Sequence, residues 1–296
     1  MVDGSSTVYP ITEAVAEEFS EEAPRVKTTV GISGTGGGFK RFAAGETDIS
    51  DASRAIKAKE AKACTDNGVE FIELPVAYDG LTIVLNNSND WVDHLTVDEL
   101  RKIFLADQAV DSWSEVRKGW PDTPIKVYSP GTDSGTFDYF KEVVAGKTGS
   151  IRSDMQVSED DNVLVRGVAG DAASIGFFGC AYYFENADKL KACPIINGEG
   201  KPELPSKQSI ESGTYNPFSR PLFIYVNLNS IKRPEVAGFV DFYLENAGDM
   251  AEEVGYVRLP QAIYDRCQAN VDNRRTGTQF LRDGEKVHGP LPEVYK

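Results

Sequence analysis

The chain has 296 residues, with 31 Lys+Arg against 46 Asp+Glu for a formal charge of −15, and a mean hydropathy of −0.33. That length buries one or two cores. The acidity excludes nucleic-acid binding by phosphate neutralisation, and no run of about 18 apolar residues is present to span a bilayer. After Met1 there is no basic segment followed by an apolar stretch, and helical periodicity begins within about eight residues, so the chain reads as a mature domain whose export signal has been removed.

Short apolar runs alternate with helical patterns, which predicts an α/β fold. Val8, Ile11, Val15 and Phe19 share one helical face. Val26 to Ile32 reads as a strand, and Phe39, Phe42 and Ala43 begin the next helix. Asp48-Ile49-Ser50 is a short strand followed by a turn, Asp51-Ala52-Ser53-Arg54. Ala58 to Asn67 is helical and stops at Gly68. Val69 to Leu74 and Leu81 to Leu85 read as strands. Thr96-Val97-Asp98-Glu99 is a capping box that opens a helix through Leu100, Ile103 and Phe104. Ile125 to Tyr128 is a strand, Phe137 to Val144 a helix, Ala173 to Phe178 a strand and Tyr182 to Leu190 a helix. Leu222 to Val226 is a bounded apolar run, and Pro234 to Asn246 and Gln261 to Asn270 close the chain as helices. No flexible linker interrupts this order. If there are two lobes, Leu74 to Asn86 and Leu222 to Asn227 are the segments that cross between them.

Three Ser/Thr/Gly clusters each lead into a helical pattern. They are Gly4-Ser5-Ser6-Thr7, Ser33-Gly34-Thr35-Gly36-Gly37-Gly38 and Thr132-Asp133-Ser134-Gly135-Thr136. A helix start carries unpaired N–H donors and a partial positive charge, and several such starts together suit an oxyanion. Three consecutive glycines at a helix start are unfavourable unless something needs close backbone approach. No Gly-Lys-Ser/Thr follows them, so they are not a nucleotide P-loop. Arg54 can fork onto two oxyanion oxygens. Ser6 or Ser134 as a nucleophile needs a base, and His94 and His288 suggest none; the same histidines lack metal-ligand spacing. Cys64, Cys180, Cys193 and Cys267 allow disulfides, Cys180 with Cys193 and Cys64 with Cys267, or else four buried thiols.

Taken in order, Asp3-Gly-Ser-Ser-Thr-Val-Tyr-Pro10, Ser33 to Gly38, Asp48-Ile-Ser-Asp-Ala-Ser-Arg54, Pro130-Gly-Thr-Asp-Ser-Gly-Thr-Phe-Asp-Tyr-Phe140 and Ser219-Arg-Pro-Leu-Phe-Ile-Tyr-Val226 resemble the extracytoplasmic phosphate-binding proteins of the bacterial high-affinity phosphate ABC transporter. The resemblance implies a two-lobed, Venus-flytrap fold of the type II binding-protein class with two hinge crossings. It sets residues 1–78 and 227–296 in lobe I and 79–226 in lobe II, with phosphate in the cleft. It further implies a periplasmic or extracellular monomer, membrane-associated if lipid-anchored. Such a protein hands its ligand to a membrane permease, without catalysis, cofactor or metal. By the same likeness Ser6, Thr7 and Val8, then Thr35 and Gly36 with Ser33 close by, and then Ser134, Gly135 and Thr136 line the ligand. One branch of the family has an Arg and an Asp just before its Ser-Gly-Thr, where this chain has Pro130 and Thr132; Arg54 stands in for that cation. Asp51 is the expected acceptor of the phosphate hydrogen, with Ser53 a hydroxyl ligand. Rival readings are a binding protein of the same fold for another oxyanion, sulfate, molybdate or arsenate, and a phosphoester hydrolase using Ser6 or Ser134.

Overall fold

The computed structural model describes residues 1–296 apart from Asp133, Lys147 and Glu159. The chain divides into two compact units: Met1–Asp79, Glu211–Gly213 and Arg220–Lys296 in the first, Gly80–Ile210 and Thr214–Ser219 in the second. The main crossings therefore fall at 79/80 and 219/220, against the 78/79 and 226/227 expected from the sequence.

The first unit opens with β1 (Val2–Gly4), α1 (Tyr9–Glu22), β2 (Val30–Ile32), α2 (Gly34–Ala43), β3 (Ile49–Ala52) and α3 (Ala58–Asp66), and β4 (Phe71–Asn86) runs out of it. The second unit holds α4 (Val97–Phe104), α5 (Trp113–Val116), β5 (Lys126–Pro130), α6 (Gly135–Val144), β6 (Gln156–Ser158), α7 (Asp161–Ala169), β7 (Ser174–Gly179), α8 (Cys180–Glu185) and β8 (Leu190–Ala192), then the short pair β9 (Ile195–Ile196) and β10 (Pro202–Glu203). After α9 (Lys207–Glu211), β11 (Ser219–Asn227) leads back to α10 (Pro234–Glu253), α11 (Gln261–Asp272), β12 (Leu281–Arg282), β13 (Glu285–Lys286) and α12 (Leu291–Val294).

In the first unit β1 lies parallel to β2 and β3, and β11 runs antiparallel to β3. α1 buries Ile11, Val15 and Phe19; the Phe19 ring meets Phe239 of α10 edge-on with centroids 5.4 Å apart. α2 buries Phe39 and Phe42, and Phe39 meets Tyr225 of β11 at 4.8 Å. In the second unit β7 pairs antiparallel with β4 and parallel with β5, and β5 pairs parallel with β6. Phe104, Phe140 and Phe177 centre its core, with Phe140 stacked on Phe177 at 3.8 Å. Both units thus place helix starts at the C-terminal ends of parallel strands, where α/β folds bind ligands.

Several local readings change. The glycines belong to α2 itself, which starts at Gly34 rather than near Phe39. Gly38 itself is required: a Cβ there would lie 2.6 Å from Gly4 Cα, so α2 reaches β1 only without a side chain at that position. Asp51 and Ala52 are strand, not turn, because β3 pairs with β1 through Gly4–Asp51 and with β11 through Ile224–Asp51. The two apolar runs around Pro75 are one 16-residue strand, buried along its whole length. β2 shortens to Val30–Ile32. Leu190 starts a strand, because α8 ends at Glu185 and β8 pairs with β4.

Of the two cysteine readings, the structure shows four buried thiols and neither disulfide. Cys267 donates to Pro75 O at 3.4 Å and Cys193 to Pro194 O at 3.5 Å, while Thr82 Oγ1 donates to Cys180 Sγ at 3.2 Å. Burial pushes the Cys64 thiol up to about 11 and the Cys267 thiol up to about 12, which makes both poor nucleophiles.

Candidate functional site

The first unit gathers two helix starts and one strand end. Gly4 and Asp51 are register partners on β1 and β3, and Ser5 N donates to Asp51 O at 3.0 Å. A Cβ at Gly4 would sit 2.2 Å from that carbonyl, and Gly4 takes φ +148°. Glycine is needed here for the strands to close this tightly. The chain then coils into α1: Tyr9 N donates to Ser5 O at 3.0 Å, and Thr7 N to Ser5 Oγ at 3.2 Å. Ser5, not Ser6, is therefore the hydroxyl that caps this turn. The backbone N–H groups of Ser6 and Val8 and the hydroxyls of Ser6 and Thr7 have no partner among the described residues. Helix starts leave such donors over.

At the start of α2 the backbone swings from Ser33 at φ −131° to Gly34 at φ +72°. This alternation turns successive N–H groups toward one point. Ser33 N donates to Gly4 O at 3.0 Å, which fastens this turn to the first. Ser33 has no capping bond to its own helix; its hydroxyl donates to Asp3 Oδ2 at 2.8 Å. Asp3 is 1% exposed and also takes Arg41 Nη1 at 2.6 Å. Thr35 Oγ1 lies 3.0 Å from Ser53 Oγ and accepts from Ser53 N at 3.1 Å, so α2 and the segment after β3 are joined at the site. Gly36 is exposed, and a Cβ there would meet nothing within 4 Å.

Asp51 is the unusual group. Its carboxylate is fully buried and neither oxygen has a hydrogen-bond partner among the described residues. Thr12 on α1 and Tyr243 on α10 lie beside it, but their hydroxyls bond each other at 2.9 Å. Burial pushes the Asp51 pKa up to about 8; the nearby Thr12 hydroxyl lowers it part of the way, and the charge of Asp3 raises it further. An uncompensated buried carboxylate is costly.

Arg54 lies just beyond. Its Nη1 and Nη2 fork onto Glu60 Oε2 and Oε1 at 2.9 and 2.8 Å, and Nη1 also donates to Ala55 O at 3.2 Å. The guanidinium carbon is 5.6 Å from the centroid of Phe39. A guanidinium has five N–H donors. The Nε–H and the second hydrogen of Nη2, which lie along one edge, have no partner among the described residues. Burial alone would raise the Glu60 pKa, but the Arg54 fork and the Lys57 N–H hold it below the usual value.

In the second unit Ser134 caps α6, its Oγ accepting from Thr136 N at 3.2 Å and Phe137 N at 3.5 Å. The Ser134 hydroxyl hydrogen, the Gly135 N–H and the Thr136 hydroxyl remain available among the described residues. Asp133, part of the same sequence cluster, lies outside the described residues. His94 Nδ1 pairs with Asp93 at 3.1 Å and His288 is exposed.

The structure thus brings together Ser6, Thr7, Val8, Ser33, Thr35, Gly36, Asp51, Ser53 and Arg54 in the first unit, and Ser134, Gly135 and Thr136 in the second. Sequence reasoning did not single out Asp3 or Glu60. The signals were a carboxylate immediately before Gly4-Ser5 and an acid six residues after Arg54.

A family model described as a PBP superfamily domain matches residues 1–247. "Protein SphX" of Synechococcus elongatus is 51% identical over 296 residues, covering 99% of this chain and 87% of that protein. The phosphate-binding protein PstS of Staphylococcus saprophyticus is 41% identical over 285 residues, covering 96% and 87%. Among solved structures, a possible phosphate binding protein from Planctomyces limnophilus superposes with a TM-score of 0.90 at 50% identity, covering 93% of this chain and 97% of that one. A putative phosphate ABC transporter substrate-binding protein from Clostridium perfringens, solved with bound phosphate, gives 0.57 at 26% identity, covering 88% and 98%.

Proposed function

The chain belongs to the PBP superfamily, and we propose that it is an extracytoplasmic solute-binding protein that captures inorganic phosphate and delivers it to an ABC transporter permease. The first unit would supply the Ser6 and Val8 N–H groups, the Ser6 and Thr7 hydroxyls, the Thr35 and Gly36 amides and the open edge of Arg54. Ser33 and Ser53 would hold the α2 turn in place. The second unit would supply the Ser134 and Thr136 hydroxyls and the Gly135 N–H.

The observation that carries the choice of phosphate is Asp51, buried and without a partner among the described residues. Above its raised pKa of about 8 the Asp51 carboxylate is ionised and only accepts hydrogen bonds. Phosphate at such a pH keeps one O–H to donate, and sulfate has none. A site that hydrogen-bonds such a group rejects the analogue lacking it by roughly 10⁴–10⁵-fold. On a chain of net charge −15, the attraction must come from local dipoles and Arg54 rather than from the overall field. Ser6 and Ser134 act as donors in this reading, not as nucleophiles, which need an adjacent base. The names of the relatives support the ligand assignment.

Native mass spectrometry of the purified protein tests it. A mass lost on denaturation that matches one phosphate supports the reading. A ligand-free protein that gives no calorimetric heat with phosphate overturns it.

A further inference from the structure

Ser33 stands where a helix-capping residue stands, yet its hydroxyl does not cap. Serine at this position ordinarily accepts from the second or third amide of the helix, which in α2 would be Thr35 or Gly36. Its oxygen is close enough to the first turn that a Cβ on Gly37 would lie 3.0 Å away. The hydroxyl is drawn the other way, onto Asp3 Oδ2 at 2.8 Å. Asp3 is itself locked: Arg41 Nη1 holds the same oxygen at 2.6 Å, and a Cβ on Gly31 would press to 2.7 Å from Oδ1. The carboxylate therefore has little freedom to release the serine.

We propose that Asp3 is a positioning residue of the anion site, holding the Ser33 hydroxyl off the first turn of α2 so that the Thr35 and Gly36 amides stay open to the ligand. This rests on the phosphate-binding reading above. The contrast with α6 carries the point. There Ser134 does cap its own helix and consumes the Thr136 amide. In α2 the equivalent self-capping is prevented, at the cost of burying the Asp3 carboxylate, which Arg41 pairs from the exposed side. The negative charge of Asp3, a disadvantage in an anion site, is offset by Arg41.

If Asp3 is removed, Ser33 can turn back and satisfy an α2 amide, and phosphate must then displace that bond. Asp3→Ala should weaken phosphate binding by about three- to tenfold, the worth of one helix cap. Adding Ser33→Ala to Asp3→Ala should restore most of that loss, because no hydroxyl is left to compete. In the wild-type background Ser33→Ala should bring no such gain. Asp3→Asn keeps an acceptor oxygen and should bind more tightly than Asp3→Ala. A merely structural role for Asp3 predicts that the double variant binds no better than Asp3→Ala, and that result overturns the proposal.

A measurement on the wild type does not depend on any variant folding. In phosphate-free protein the Thr35 and Gly36 amides should exchange hydrogen at rates typical of open amides, and phosphate should slow them. Strong protection of both amides before phosphate is added also overturns the proposal. If the wild type binds no phosphate, the functional reading fails, while the amide rates in free protein still report on what Asp3 does.

Discussion

Replacing Asp51 by asparagine separates the cost of this residue from its use. In the ligand-free protein its pKa rises from 3.8 to about 8, with burial as the largest cause. The folded state therefore holds the proton more tightly than the unfolded chain does. The stability this residue permits is present in full below about pH 4, is lost as pH rises through the window up to about pH 8, and does not change further above that. At 1.36 kcal/mol per unit, the wild type should lose on the order of 4 kcal/mol from this residue between pH 5 and pH 9. Asparagine cannot ionise, so Asp51→Asn should lack that part of the slope. An unsatisfied buried amide still costs about 1–3 kcal/mol. The variant should therefore be more stable than wild type at pH 9 by roughly 2 kcal/mol, and no more stable near pH 5. Glu73 and Asp79 also carry raised pKa values from burial, so the difference between the two proteins is the quantity to read. Urea unfolding of phosphate-stripped protein at pH 5, 7 and 9, followed by circular dichroism, measures it. Trp91, Trp113 and Trp120 all lie in the second unit, so tryptophan fluorescence would miss the first. The same variant should lose discrimination against sulfate by at least about a hundredfold, because the acceptor-only group is gone. Parallel pH slopes in the two proteins, together with undiminished sulfate rejection, would refute the account of Asp51.

Other perturbations test the surrounding geometry. Gly38→Ala drives a methyl to 2.6 Å from Gly4 Cα, which should destabilise the first unit by about 1–3 kcal/mol or more; a thermal midpoint equal to wild type would show that α2 can retreat freely. Arg54→Ala should weaken phosphate binding by at least about tenfold, and Glu60→Gln by less, since Glu60 only holds the fork; titration calorimetry ranks them, and an unchanged Arg54→Ala removes that residue from the site. Ser134→Ala removes a hydroxyl donor and the α6 cap together, so phosphate affinity and second-unit stability should both fall, the latter by about 1 kcal/mol; tryptophan fluorescence is the right probe for that unit. Glu73 is held near 7 by burial despite bonds from Thr278, Tyr225 and Gln279; Glu73→Gln should flatten the loss of stability between pH 5 and pH 7, a window worth about 3 kcal/mol.

The parts of the site that the sequence made legible are those written in local composition. Ser5-Ser6-Thr7, Gly34 to Gly38 and Ser134-Gly135-Thr136 announce helix starts because their residue types act on the backbone within one turn. The parts it hid depend on neighbours far along the chain. Asp51 reads as a turn residue beside Ser53, and only pairing with Gly4 on one side and Ile224 on the other makes it strand. Its lack of a partner is a fact about packing under α1 and α10, with no local mark. Ser33 looks like a cap by every local rule, and the competing acceptor is 30 residues away. Val69 to Leu74 and Leu81 to Leu85 read locally as two strands, whereas burial along the whole of Phe71–Asn86 sustains one. The cysteines show the same limit: spacing allowed two disulfides, and the fold instead buries four free thiols, Cys267 and Cys193 donating to the Pro75 and Pro194 carbonyls.

The central claim is that a buried Asp51 carboxylate selects phosphate by accepting its hydrogen. Calorimetric titration of phosphate into wild-type protein at pH 9, with and without a large excess of sulfate, tests it most directly. At that pH Asp51 is ionised before ligand arrives, and phosphate still carries one O–H. The account predicts one phosphate bound per chain with the same affinity in both titrations. Sulfate that displaces phosphate on equal terms would contradict it.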